Sequence, residues 1–244
     1  MNSAIILAGG EGKRMQSDMP KVLCEVLGRP MLDYVVDACK GTVGSICVIA
    51  GYKGEMIKEH LGDAFEIKIQ HDRLGTAHAV MMATDFIEEH SGGNILVLCG
   101  DAPLMDAKTI QDALVAHEQN GCAVTVITAH LDDPTGYGRI HIEHGSVKAI
   151  IEHKDATEHE RQITEVNSGA YWFNAKSLLL LLPMIENDNA AGEYYLTDTV
   201  SAALSVGMKV GSFMADSPDV VMGANDHAQL LLLEERMRIA ELRA

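Results

Sequence analysis

Residues 3–15 read SAIILAGGEGKRM, an apolar run that ends in glycines and then in the basic pair Lys13-Arg14. The first six residues are apolar almost throughout, the pattern of a strand buried on both faces. Glycines behind such a strand let backbone N–H groups approach an anion with no Cβ in the way. Taken alone, the loop fits a tight turn with exposed basic residues equally well.

Two common phosphate motifs fail here. A P-loop needs a glycine five positions before its Gly-Lys pair and a Ser or Thr after it. Leu7 and Arg14 stand at those places. A dinucleotide fingerprint needs G-x-G-x-x-G running into a helix. Gly10-Glu11-Gly12 begins it, but Met15 replaces the third glycine and Pro20 interrupts soon after. What remains is a long glycine-opened loop followed by Pro20-Lys21. In it Arg14 can fork onto a phosphate and Lys21 can deliver a point charge.

Working outward, Ser45–Ala50, Phe65–Gln70 and Asn94–Cys99 repeat the apolar strand pattern of Ser3–Ala8. Helical patterns at Met31–Lys40, Gly54–His60, Thr76–His90 and Ala107–Gln119 alternate with them. This order predicts an α/β fold with a doubly wound, mostly parallel sheet, whose ligands bind outside the carboxyl ends of the strands. The turns after the first, third and fourth strands then line one crevice. The second half is richer in strand: Cys122–Ala129, a hairpin over Arg139–His153 turning at His144-Gly145, and Glu165–Phe173. It is expected to extend the sheet and cover the crevice as a lid. Helical patterns return at Ala175–Leu182, Leu196–Ser205 and Asp226–Arg243. The division expected is a nucleotide half over about 1–120, a second half over about 121–225 and a C-terminal helix over 226–244. In that helix Leu230–Leu233 are too many leucines for one face. They serve either a partner chain, hence a homo-oligomer, or packing against the body.

Composition narrows the classes. A net charge of −16 argues against a nucleic-acid partner but leaves room for a small phosphorylated ligand at a local basic cluster. No apolar stretch approaches a bilayer-crossing length, and Met1-Asn2-Ser3 leads straight into a strand, so a cytoplasmic protein is expected, with no membrane contact. The five cysteines, Cys24, Cys39, Cys47, Cys99 and Cys122, are scattered without a CxxC pair, and reduced, mostly buried thiols are expected. His141, His144 and His153 lie along the hairpin without zinc-ligand spacing and read as surface residues.

Several stretches stand in register with one another: LAGGEGKRM at 7–15, MPKVL at 19–23, IQHDRLGTAHAV at 69–80, LCGDAPL at 98–104, DDPTGYGRI at 132–140, IIEHKDAT at 150–157, EVNSGAYWF at 165–173, GEYYLTD at 192–198 and GAND at 223–226. Together they resemble the sugar-nucleotide pyrophosphorylases, and most of all the uridyltransferase domain of the bifunctional bacterial enzyme that makes UDP-N-acetylglucosamine. The resemblance covers essentially the whole chain. It implies transfer of UMP from UTP to N-acetylglucosamine 1-phosphate with release of pyrophosphate, assisted by Mg2+. Sister branches use another sugar 1-phosphate or dTTP, and a UDP-sugar sensor without catalysis is a further alternative.

The resemblance also implies roles. Leu7, Ala8, Gly9 and Gly10, with Arg14, hold the triphosphate, and Lys21 acts with Arg14 at the reacting phosphates. Gln70, Gly75 and Thr76 meet the base. Cys99 and Gly100 line the site, and Asp101 with Asn225 binds the metal. Gly138, Glu152 and Asn167 hold the sugar, with Tyr195 and Thr197 as further wall residues. Taken singly, each has a blander explanation: a solvated strand end for Gln70, a helix cap for Asp101, turn or strand residues for the rest. Departures from the pattern are Lys13 in place of Thr, Gly9 in place of Ala, Cys99 in place of Tyr, and Arg73 where some relatives carry Gln. The bifunctional relatives continue into an acetyltransferase β-helix, whereas the sequence here ends at Ala244.

Overall fold

The computed structural model describes residues 1–12, 15 and 18–241. Its elements run in the order β1 (Ser3–Ala8), β2 (Glu25–Val26), β3 (Arg29–Pro30), α1 (Met31–Cys39), β4 (Ser45–Ala50), α2 (Gly54–Leu61), β5 (Glu66–Ile69), α3 (Thr76–Met81), α4 (Thr84–Glu89), β6 (Asn94–Cys99) and α5 (Ala107–Asn120). Then follow β7 (Val124–His130), β8 (Arg139–Glu143), β9 (Ser146–Ile151), β10 (Glu165–Asn174), α6 (Ala175–Leu181), α7 (Asp198–Ser205), β11 (Val210–Met214) and α8 (His227–Glu241).

Among the described residues one nine-stranded sheet carries the fold, in the order β11-β7-β10-β6-β1-β4-β5, with the β8–β9 hairpin attached to β10. β1 pairs in parallel with β4 and β6, β4 with β5, and β7 with β11, while β10 runs antiparallel between β6 and β7. Successive residues of β1 point to opposite faces, and both faces are covered. Ile5 joins a core with α3, α4, α6 and α7, while Ala4, Ile6 and Ala8 join another with α1, α2 and α5. This double burial is why the strand sequences are apolar at every position rather than at alternate ones. A smaller core, with Val26, Met31, Leu233 and Met237, seats α8 on the β2–β3 hairpin. The leucine run of α8 divides there: Leu233 is buried and Leu230 packs beside it, whereas Leu231 and Leu232 are exposed.

Local chemistry sets the element ends. Asp106 caps α5 by accepting from the Thr109 N–H at 2.8 Å, and Gly121 closes it in a left-handed conformation. His144 and Gly145, with φ of 51° and 75°, form the two-residue turn between β8 and β9.

Some details differ from the sequence pattern. The helix expected over Thr76–His90 is two helices, because Ala83 is not helical (φ −104°, ψ 23°) and the Thr84 hydroxyl donates to the Met81 carbonyl at 2.7 Å. β11 lacked a strand signal, since VGSFM holds a glycine and a serine and lies at the sheet edge. α7 starts at Asp198 rather than Leu196, whose N–H is taken by the Thr76 hydroxyl at 2.9 Å. His144 is exposed and His141, paired with Glu143, is partly exposed, as surface residues are, whereas His153 is half-buried and meets Arg139. All five cysteines are free, with only Cys99 among them partly exposed.

Candidate active site

The carboxyl ends of β1, β5 and β6 open on the same side of the sheet. The Gly100 N–H donates to the Leu7 carbonyl at 2.9 Å, so the turns after β1 and β6 run side by side. Ala8 closes β1, and Gly9 and Gly10 follow it. The Gln70 Nε2 donates to the Gly75 carbonyl at 3.1 Å and faces His78 Nδ1 at 3.0 Å. A carbonyl can only accept, so the amide orientation is set by its partners. Its Oε1 lies 3.1 Å from where a Cβ on Gly9 would stand. Gln70 is therefore no solvated strand end; it is buried, 5% exposed.

Behind it, the segment with Tyr194 crosses the start of α3. The Ala77 N–H donates to the Tyr194 carbonyl at 2.9 Å, and the Tyr194 N–H to the Leu74 carbonyl at 2.8 Å. Gly75 makes this crossing feasible: its φ is +118°, and a Cβ there would lie 2.4 Å from the Tyr194 oxygen. Thr76 serves the same junction through its bond to Leu196.

Lys21, Asp101 and Asn225 meet at one point. The Lys21 ammonium ion-pairs with the Asp101 carboxylate and donates to Asn225 Oδ1 at 2.5 Å. Its side chain is only 11% exposed, so these contacts are weakly screened. Asn225 is held from α8: its N–H donates to Gln229 Oε1 at 2.8 Å, while the Gln229 N–H donates to Asp226 Oδ1 at 2.9 Å. That reciprocal pattern is a capping box shifted by one residue, and Asp226 with Gln229 three places on was its sequence signal.

The third group lies at the base of the β8–β9 hairpin. The Asn167 N–H donates to the Gly138 carbonyl at 2.9 Å, and the Thr197 hydroxyl donates to Glu152 Oε1 at 3.3 Å. Burial raises the Glu152 carboxyl above its ordinary range, with Asp198, Asp155 and Glu193 adding to the rise and the Thr197 bond opposing it. Burial also lifts the Tyr195 hydroxyl to about 12. The β10 register shifts between Asn167 and Tyr171, and Gly169 at φ +79° turns its backbone toward Cys99. Cys99 donates weakly to the Gly169 carbonyl at 3.7 Å, and burial pushes its thiol to about 12, leaving a neutral wall rather than a nucleophile.

Two cavities flank the Lys21 cluster. One of about 650 Å³ is bordered by Cys99, Asp101, Gly138, Asn167 and Leu232. The other, about 500 Å³, is bordered by Gly10, Glu11, Gly12 and Arg73. Lys21 and Asn225 line both.

For a metal, the donor chemistry fits. Asp101 and Asn225 aim two hard oxygens at one cationic centre, the Lys21 ammonium, and oxygen donors of this kind suit a hard divalent cation. Among the described residues no three His, Cys, Asp or Glu side chains gather at one place, so further ligands would come from water and substrate oxygens. Arg14 and Lys13 lie outside the described residues. Sequence reasoning missed His78, Tyr194, Gln229 and Tyr171, whose hydroxyl is buried and raised well above its ordinary pKa by that burial. Gln229 was marked by the capping pattern, and His78, Tyr171 and Tyr194 only by their place inside the stretches at 69–80, 165–173 and 192–198.

The Nucleotidyl transferase family pattern matches residues 3–220. The chain belongs to this family. As a nucleotidyl transferase it is an enzyme, and its matched region includes every strand and both cavities' walls except those from 221 onward. It is 42% identical over 237 residues to the bifunctional protein GlmU of Bacillus subtilis, covering 96% of this chain and 52% of that protein. Against the bifunctional protein GlmU of Geobacillus sp. the identity is 44%, over 96% of this chain and 51% of the other. This nucleotidyl transferase thus spans about half the length of the curated relatives it matches. Its fold is similar to that of a putative glucose-1-phosphate thymidylyltransferase from Bacillus anthracis, with a TM-score of 0.79, 21% identity, and 98% and 96% of the two chains covered. Among the described residues no helix is long and apolar enough to cross a membrane.

Proposed function

We propose that the protein transfers UMP from UTP to N-acetylglucosamine 1-phosphate, giving UDP-N-acetylglucosamine and pyrophosphate. The observation that carries this is Lys21 and Asn225 standing between two cavities and lining both, with Asp101 beside them. A sugar phosphate in the larger cavity and a nucleotide in the smaller would bring their phosphates together there. The sugar-phosphate oxygen attacks the α-phosphorus in line, and pyrophosphate leaves. A phosphate monoester with a second pKa of about 6 is already largely dianionic at neutral pH, so no general base is needed. That agrees with a site whose thiol, Cys99, stays protonated.

Lys21 neutralises charge on the reacting phosphates, and the backbone of Leu7–Gly10 with Arg14 holds the triphosphate. Asp101 and Asn225 would hold magnesium, which would supply charge neutralisation between the two anionic substrates. Gln70 has its Nε2 engaged and its Oε1 left as an acceptor, which matches the N3–H of uracil and not the bare N3 of cytosine. Gly75 and Thr76 set the adjoining wall through their junction with residues 194–196. Glu152 and Asn167 accept from and donate to the sugar, with Gly138 leaving room beside them. Identity of 42% and 44% to the two GlmU proteins supports the branch that the motifs resemble.

The test is pyrophosphate release with magnesium, pairing UTP or dTTP with N-acetylglucosamine 1-phosphate or glucose 1-phosphate. Fast release confined to UTP with the acetylated sugar is expected. Release favouring another pair moves the protein to a sister branch, and no release from any pair refutes the proposal.

A further inference from the structure

Arg139, the first residue of β8, is 1% exposed, yet among the described residues it forms no ion pair. A buried guanidinium normally meets a carboxylate, because an uncompensated charge away from water is costly. Here no acceptor is a carboxylate, and Asp133 acts on the guanidinium only at a distance. One terminal nitrogen donates to the Tyr137 carbonyl, and the other faces the Arg161 carbonyl at 3.4 Å and His153 Nδ1 at 3.3 Å. Its Nε has no hydrogen-bond partner among the described residues. Well-packed apolar side chains commonly replace such a buried charge without loss of stability, so simple cohesion is a poor reason for an arginine here.

Geometry offers a better one. The backbone of Arg139 pairs with Ile151 on one side and Val166 on the other, and among the described residues the Val166 pair is the one rung between the hairpin and β10. Gly138 precedes Arg139, Glu152 lies between Ile151 and His153, and Asn167 follows Val166. Each proposed sugar-site residue therefore adjoins a residue that Arg139 grips, by backbone or by side chain. The planar fork reaches three acceptors from separate stretches of chain, which a lysine ammonium on a single flexible stem does not reproduce.

We infer that Arg139 is a positioning residue that sets Gly138, Glu152 and Asn167 relative to one another, and so sets the affinity for the sugar phosphate without touching it. The inference rests on the proposed role of those three residues, and its test separates the two. In R139M and R139K the KM for the sugar 1-phosphate is expected to rise at least tenfold, with the KM for UTP within about twofold. Amide exchange of Asn167, whose N–H meets the Gly138 carbonyl, is expected to quicken at least tenfold while the amides of β1 and β4 stay protected. Unchanged sugar KM with a protected Asn167 amide overturns the inference. So does a parallel rise of both KM values with exchange spreading into β1, which is the mark of general loosening. If R139M does not fold, R139K reads the same two quantities. If the wild type turns over no sugar phosphate, the functional proposal falls, and Asn167 exchange alone still decides whether Arg139 is the strut.

Discussion

At the scale of single residues, the Lys21 ammonium occupies the point where Asp101 and Asn225 aim their oxygens, so it competes with any divalent cation that uses the same pair. Removing it should favour the metal and harm the reaction. In Lys21→Met, Mn2+ titration of the substrate-free protein is expected to show at least about tenfold tighter binding, while turnover falls by roughly 10²–10³. Equal or weaker Mn2+ binding would mean that the ammonium and the metal do not share the pair. Gln70→Ala is expected to cost about tenfold or more in the preference for UTP over CTP, read as a ratio of kcat/KM, since the lost acceptor no longer rewards N3–H. An unchanged ratio would place base recognition elsewhere. Glu152 adds a pH signature. Burial raises its carboxyl, so the charged acceptor is lost at a higher pH on acidification than in an exposed glutamate. The KM for the sugar phosphate should climb correspondingly early on the acid side, and Glu152→Gln should remove that component, leaving only the phosphate's own titration. The types and positions of these residues were legible as motifs. Their partners were not, because Asn225 reaches Lys21 only once α8 is docked on the β2–β3 hairpin.

Elements show where local preference yields to packing. Gly75 stands at φ +118° against the Tyr194 carbonyl, so Gly75→Ala meets both backbone strain and a clash with main chain. A loss of at least about 2 kcal/mol is expected in denaturant unfolding, together with poorer UTP binding as the 194–196 segment parts from α3. A stability within about 0.5 kcal/mol of wild type would show that the crossing can shift at little cost. The β8–β9 hairpin was readable from its alternation and its His-Gly turn, a purely local signal. β11 was not, because an edge strand that is only partly buried needs little apolar content and owes its existence to β7. The break at Ala83 was likewise hidden, since a helical period carries over a tightened turn without a change of residue type.

Across the whole molecule, stability has a pH dependence seated far from the crevice. His117, 2% exposed on α5 and bonded to the Thr125 hydroxyl at 2.9 Å, is pushed by burial from 6.5 down to about 4. The unfolded chain binds a proton there that the folded chain refuses, so this stabilisation is full above pH 6.5 and is lost as the pH falls toward 4. The loss should amount to about 2–3 kcal/mol, and His117→Gln should flatten that stretch of the stability profile in denaturant melts. An identical slope in the variant would assign the acid loss to other groups. The alternation of strands and helices over the first half and the mostly parallel character of the sheet were determined by the sequence itself, because a strand buried on both faces must be apolar throughout and leaves that mark on the chain. Only the tertiary structure decided that β10 lies between β6 and β7, that Lys21 bridges Asp101 and Asn225, and that Arg139 is buried with no ion pair among the described residues. Those features depend on which distant segments come into contact, and a residue's type records its own burial far better than the identity of the neighbour that buries it.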